Sequence, residues 1–334
     1  MNISFARLVK FVAIAITLCS EIAYAQVGPV NTDLCSINPD YCTGRRLTIV
    51  VGALKGSAAD LSAQRLSEAL RPAVRGNQVF VENRAGASAM VTAEFVARYH
   101  SDPSALLLAS WDQSVTVAPG QPDPLSQLTP VAQVASVPYV LIVSMGDRSR
   151  TISDFIVTAR SSGEAFPSFV TTGTRSANAL LTELFVATAN LRATSIRHGG
   201  PSDALHAVMT GDARAMFAPL HTVSQSLREG RVRALAITGT RRSDTFPDLP
   251  TLAEAGLDEA NVTGWQAVFA ASGLPTDLVR RLQEATATAV ATPQFVAAMR
   301  AAGLEAPTTR EPAEFMALLE HQARRITQFR TMPR

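Results

Sequence analysis

Three loops of small and hydroxylated residues hold the side chains best suited to chemistry, and each opens onto a stretch with helical patterning. Lys55-Gly56-Ser57 comes first, with Asp60 one turn inside. Gly86-Ala87-Ser88-Ala89 comes second, and Thr171-Thr172-Gly173-Thr174-Arg175-Ser176 lies in the second half. A helix start leaves backbone N–H groups unpaired and carries the positive end of the helix dipole, so such loops suit anions. Together they point to a carboxylate or similar anion held between two halves. Ser57 and Asp60 also have the S-x-x-D spacing of a capping box, in which Asp60 serves its own helix; the two roles are compatible. Lys55 is the only lysine beyond residue 25. It is either a solvated charge or a partner for a ligand anion, and Arg175 leaves the same choice. His198 is either a packed or surface histidine or a ligand contact. Trp111, just past a strand end, is either core or cleft wall.

Other chemistries lack their patterns. The chain has no G-x-S-x-G nucleophile elbow, no phosphate-binding G-x-x-x-x-G-K-[ST] loop, no H-E-x-x-H and no C-x-x-C. His100, His198, His206, His221 and His321 are scattered, and Pro201 interrupts the nearest pair. No metal and no cofactor are expected, and nothing points to a Ser-His-Asp triad.

The elements that must position these loops alternate. Leu47–Ala53, Gln78–Asn83 and Ala105–Ser110 read as strands, separated by stretches of helical spacing. Val131–Ser144 reads as one long β run. The alternation then restarts, with a helix at Ile152–Arg160, a strand at Ser168–Gly173 and a helix presenting Leu180, Leu181, Leu184 and Phe185. A helix from Pro201 to near Gly211 and a strand at Val232–Gly239 follow, and the last 60 residues read as helical. This is α/β layering in two lobes, with the C-terminus returning to the first. Ligands in such sheets sit beyond the carboxyl ends of the strands. The loops to watch are therefore 54–60, 84–90, 110–113, 171–178 and 197–203.

The composition suits such a molecule. The chain has 334 residues, 47% of them hydrophobic, and a formal charge of +2, which excludes low-complexity disorder and a strongly basic nucleic-acid binder. Residues 1–25 read as a cleaved secretory signal. Arg7 and Lys10 lead, Phe11–Ser20 forms an apolar run too short to span a bilayer, and Ala23-Tyr24-Ala25 ends it with an A-x-A site. Leu18 before Cys19 speaks against a lipidation site. The protein is thus expected in the periplasm, cleaved after Ala25. Cys35 and Cys42 fit a small-loop disulfide in an N-terminal extension over residues 26–44.

Three longer runs carry a resemblance. Arg233–Leu257 (RALAITGTRRSDTFPDLPTLAEAGL), Val79–Ser88 (VFVENRAGAS) and Gly264–Leu282 (GWQAVFAASGLPTDLVRRL) resemble the signature segments of the Bug receptors. These are the extracytoplasmic solute-binding subunits of tripartite tricarboxylate transporters. The likeness runs from about Arg45 to the C-terminus. It implies a periplasmic-binding-protein type II fold: residues 45–137 with 264–334 form lobe 1, and residues 138–263 form lobe 2. Crossover strands at Val137–Ser144 and Gly264–Ala270 form the hinge. It also implies a small carboxylate ligand, no catalysis, a monomer, and a membrane permease as partner.

The site set that follows is Lys55, Gly56, Ser57, Asp60, Ala87, Ser88 and Ala89 from lobe 1, with Trp111. Lobe 2 supplies Thr171, Thr172, Thr174, Arg175, Ser176 and His198. The pocket loops depart from the family pattern. P-F-P-P-G-G-x-x-D is replaced by Gly52–Asp60, which keeps only Gly56 and Asp60, and G-A-G-G becomes Gly86-Ala87-Ser88-Ala89. Lys55, Arg175 and Arg197 add basic groups, so a ligand with more than one negative charge, or one with bulkier acidic groups, is expected. The rival readings are a receptor docking on a sensor protein, an exported hydrolase using Ser176 or Ser57, and a family member that binds nothing.

Overall fold

A computed structural model describes residues 32–43, 46–84, 89–98, 103–115, 123–161 and 166–331. The signal segment and Ala87 and Ser88 lie outside these residues.

The first half alternates as the pattern requires: β1 (Thr48–Val51), α1 (Ala58–Ala69), β2 (Phe80–Asn83), α2 (Ala89–Arg98), β3 (Ala105–Ser110) and β4 (Leu128–Val137). Leu106, Leu107, Leu108 and Ala109 are all buried, as expected of a strand flanked by helices on both faces. The second half runs β5 (Tyr139–Ser144), α3 (Ile152–Ser161), β6 (Ser168–Thr171), α4 (Ala177–Thr188), β7 (Thr194–Arg197), α5 (Pro201–Thr210), β8 (Ala215–Pro219), α6 (Leu220–Arg228) and β9 (Val232–Ile237). The chain closes with β10 (Gly264–Ala271), α7 (Thr276–Val290), α8 (Pro293–Ala301) and α9 (Pro312–Thr331). β7 and β8 have no counterpart among the sequence expectations. Both are short, and β7 is solvent-exposed along its length, so no buried run marks it.

The strands form two five-stranded sheets of the same design. One has the order β2-β1-β3-β10-β4, the other β7-β6-β8-β5-β9. In each, the first three strands are parallel, and the fourth is antiparallel to both its neighbours. The fourth strand of each sheet enters from the chain of the other half. The fold is thus two α/β lobes of the periplasmic-binding-protein kind, joined by crossing chains.

Those crossings differ from the sequence expectation in two ways. The run from Val131 to Ser144 is not one strand. Pro138 has no N–H to give to a ladder, and the chain changes sheets there. β10 lies wholly in the first sheet, so Gly264–Ala270 is not itself a crossing; the return link is 238–263. The two crossings are tied together. Thr238 N–H donates to the Tyr139 carbonyl at 2.8 Å, and Tyr139 N–H donates to Thr238 Oγ1 at 2.9 Å.

Each lobe has an aromatic centre. Phe155, Phe169, Phe185 and Phe217 pack as tilted and edge-on pairs in the second. Trp265, Phe269 and Phe315 do the same in the first, where Trp265 Nε1 donates to Gln322 Oε1 at 3.1 Å. These contacts seat α9 on the first lobe. Cys35 and Cys42 are paired, with Cα atoms 5.8 Å apart. No helix among the described residues is long and apolar enough to cross a membrane.

Candidate functional site

The helices of the second lobe determine where a ligand can sit. α4 starts at Ser176, whose side chain accepts from Ala179 N–H. α5 starts with Pro201 after Gly200, and α6 starts after Pro219. All three starts border one cavity of about 430 Å³. Ser176, Ala177 and Asn178 come from α4, Pro201, Ser202 and Leu205 from α5, and Pro219, Thr222 and Val223 from α6. Met216 and Phe217 of β8 add apolar floor, and Asp112 and Tyr139 close the side toward the first lobe. Helix starts present N–H groups that their own helix does not use, so the wall is electropositive without a cationic side chain among the described lining residues.

Asn178 gathers the loop before α4. Asn178 Oδ1 accepts from Thr172 N–H at 3.3 Å, from Thr172 Oγ1 at 3.2 Å and from Ser176 Oγ at 2.5 Å. The buried amide thereby fixes both hydroxyl residues against the cavity. At the opposite side, the Tyr139 hydroxyl donates to Asp112 Oδ1. Asp112 is open to the cleft, yet protein surrounds it on its other sides, and burial pushes its carboxyl up despite that hydrogen bond. Burial and the neighbouring Asp112 push the Tyr139 phenol well above its ordinary value, so it remains a donor. Trp111 packs edge-on against Tyr139 beneath this pair.

Of the residues singled out from sequence, Thr172 and Ser176 line the cavity. Thr171 is buried at the end of β6, and its carbonyl accepts from His198 N–H at 2.9 Å. His198 is half-buried, while Thr174 and Arg175 are exposed at the tip of their loop. Trp111 is 2% exposed and forms core below the cleft rather than its wall. Lys55 and Gly56 are exposed at the turn before α1, and Arg197 is exposed as well. None of these three lines the cavity.

Ser57 caps α1 by accepting from Asp60 N–H at 3.2 Å. Asp60 is buried and accepts from Gly56 N–H, Gln64 Nε2 and Asn83 Nδ2 at 2.8–2.9 Å. Burial raises its pKa, but these hydrogen bonds and the charge of Lys55 outweigh that and hold it below the usual value. The Asp60 carboxylate is therefore engaged in shaping its own loop. Of Ala89 only its place at the start of α2 is described.

The sequence reading passed over Asp112, Tyr139, Asn178, Ser202 and Thr222. Asp112, Asn178 and Ser202 lie in loops flagged because they follow strand ends. Nothing local marks the β8–α6 junction, which has no glycine and no hydroxyl cluster. No group of three or more metal-ligating side chains occurs among the described residues.

The chain matches the family model described as tripartite tricarboxylate transporter family receptor over residues 63–330. It is 31% identical over 272 residues to the "UPF0065 protein in tcbD-tcbE intergenic region" of Pseudomonas sp. (strain P51), covering 80% of each chain. Its structure is similar to that of MatC (Rpa3494) from Rhodopseudomonas palustris with bound malate. The TM-score is 0.68 and the identity 24%, over 86% of this chain and 99% of that one. It is equally similar to R. palustris Rpa4515 with adipate, at TM-score 0.68 and 24% identity, over 86% of this chain and 96% of that one.

Proposed function

The chain belongs to the tripartite tricarboxylate transporter receptor family, and on that premise we propose that it captures a small carboxylate between its lobes and delivers it to transporter subunits in the membrane. The observation that carries this is the meeting of three helix starts at one cavity, with Thr172 and Ser176 held in its wall by Asn178. In this reading the ligand carboxylate takes up N–H groups left unused at the starts of α4, α5 and α6, on a loop whose shape the Thr172 and Ser176 hydroxyls fix by donating to Asn178. The apolar floor of Met216 and Phe217 takes its carbon skeleton. The first-lobe loop around Gly56 and Ser57 closes over it. Closure is driven by contacts available only with both lobes together. The segment 1–25 directs the chain out of the cytoplasm and is removed after Ala25. The malate and adipate held by the two fold relatives fit this ligand class.

A thermal-shift screen of the mature protein against small carboxylates, phosphates and neutral controls tests the reading. A carboxylate at about 100 times its Kd adds about 2.7 kcal/mol and raises Tm by a few degrees. Stabilisation by carboxylates and not by neutral analogues is expected. A folded protein that no carboxylate stabilises overturns the reading.

A further inference from the structure

The cavity is not electrically uniform. Its second-lobe side is built of helix starts, which attract negative charge. Its first-lobe side ends in Asp112, the one charged side chain among the described lining residues. Asp112 Oδ1 takes the Tyr139 hydroxyl, and among the described residues no arginine, lysine or histidine forms an ion pair with it. Several acidic side chains elsewhere in the molecule have partners that suit a negative charge. Asp147 is paired with Arg214 and Asp244 with Arg241 and Arg300, and Asp60 accepts three hydrogen bonds. Asp112, at the cavity, has a single neutral donor instead.

A carboxylate there works against a ligand that is anionic throughout, because like charge in a small, partly desolvated cavity is costly. It works for a ligand whose far end is positive. Resting on the receptor reading above, we propose that Asp112 is an ammonium subsite, so that the preferred ligand is an amino acid or a similar amino carboxylate. Its carboxylate faces the α4, α5 and α6 starts, and its ammonium faces Asp112 across the cavity. The Tyr139 hydroxyl holds the Asp112 carboxyl in place and leaves Oδ2 for the ligand. Because Asp112 belongs to the first lobe and the helix starts to the second, a zwitterion also ties the lobes together. That is the differential contact that closure requires. The raised carboxyl of Asp112 agrees with this: an unpaired charge in that position is unfavourable, and a ligand ammonium offsets the cost.

The test uses matched probes that differ only in the amino group: L-glutamate against glutarate, L-alanine against propionate, and L-phenylalanine against 3-phenylpropionate. Kd is measured by calorimetry on the mature wild-type protein and on Asp112→Asn, which keeps the shape and removes the charge. The expected result is a preference of about tenfold or more for the amino form of at least one pair, falling to within about threefold in Asp112→Asn. The inference is overturned if the deamino partner binds as tightly or more tightly in every pair, since Asp112 then tolerates or donates to a second carboxylate. It is also overturned if the amino preference survives the substitution. The wild-type comparison decides the matter even if the variant fails to fold. Tight binding of deamino acids alone defeats only this inference. Silence from both members of every pair, and from all other carboxylates, defeats the receptor reading with it.

Discussion

His221 shows how one side chain can set a pH limit on the whole protein. It stands in the first turn of α6, largely buried, and its Nδ1 has no hydrogen-bond partner among the described residues. Gly303 packs against it so closely that a Cβ there would lie 3.0 Å from the His221 Cα. Burial lowers its pKa from 6.5 to about 4. Unfolded chains therefore bind this proton in a range where the folded chain does not. The stability that depends on neutral His221 is fully present above pH 6.5 and is lost as pH falls toward about 4. Urea denaturation across that range should show a decline of roughly 3 kcal/mol from this group, added to any carboxylate effects. His221→Gln should flatten that part of the slope; an unchanged slope would assign it to other groups.

At the scale of elements, the two crossings set how the lobes move. Gly264 opens β10 directly beside the first crossing. A Cβ there would lie 3.0 Å from the Val137 carbonyl, 3.2 Å from the Tyr139 ring and 3.3 Å from the Trp111 ring. Backbone cannot yield as a flexible side chain can, so Gly264→Ala should cost about 1–3 kcal/mol in a denaturant titration. It should also shift ligand affinity, because Tyr139 carries the hydroxyl that holds Asp112. An alanine variant with wild-type stability and affinity would show that the crossing has slack the structure does not reveal. The Thr238–Tyr139 hydrogen bonds make the two crossings a single unit, which suits a hinge of few residues.

For the whole molecule, charge acts at a distance. Lys55 in the first lobe and Arg175 in the second are exposed outside the cavity wall, so they suit attraction of an anion more than contact with it. The double variant Lys55→Ala/Arg175→Ala should slow association of a net anionic ligand such as L-glutamate several-fold in dilute buffer and leave dissociation unchanged. The difference should vanish near 1 M salt, where the screening length falls to about 3 Å. Faster dissociation in stopped-flow traces would mean instead that these side chains touch the bound ligand. This placement also changes the weight of the basic substitutions read from sequence. They are not part of the cavity wall, and the charge inside that wall is the opposite one.

Periodicity and composition made much of the fold legible. The buried run of β3, the amphipathic stretch of α1, the apolar helical spacing of α4, and Pro201 at the start of α5 each obey a local rule that needs no partner elsewhere in the chain. So does the rule that ligands gather where strands end, which brought the loops holding Asp112, Asn178 and Ser202 into view. Local rules failed where residues distant in sequence meet. Val131–Ser144 read as one long β run until the two sheets showed that the chain changes lobes at Pro138 within it. Tyr139 read as part of a β run, yet its hydroxyl reaches Asp112, 27 positions away. The α6 start carries no motif, and only its position beside the starts of α4 and α5 makes it part of a site. The sequence by itself determined which segments become strands and helices, because hydrophobic spacing and backbone chemistry act over a few residues. Tertiary structure alone decided which polar groups face one another across the cleft, because that depends on how two separately formed sheets exchange a strand and come to rest.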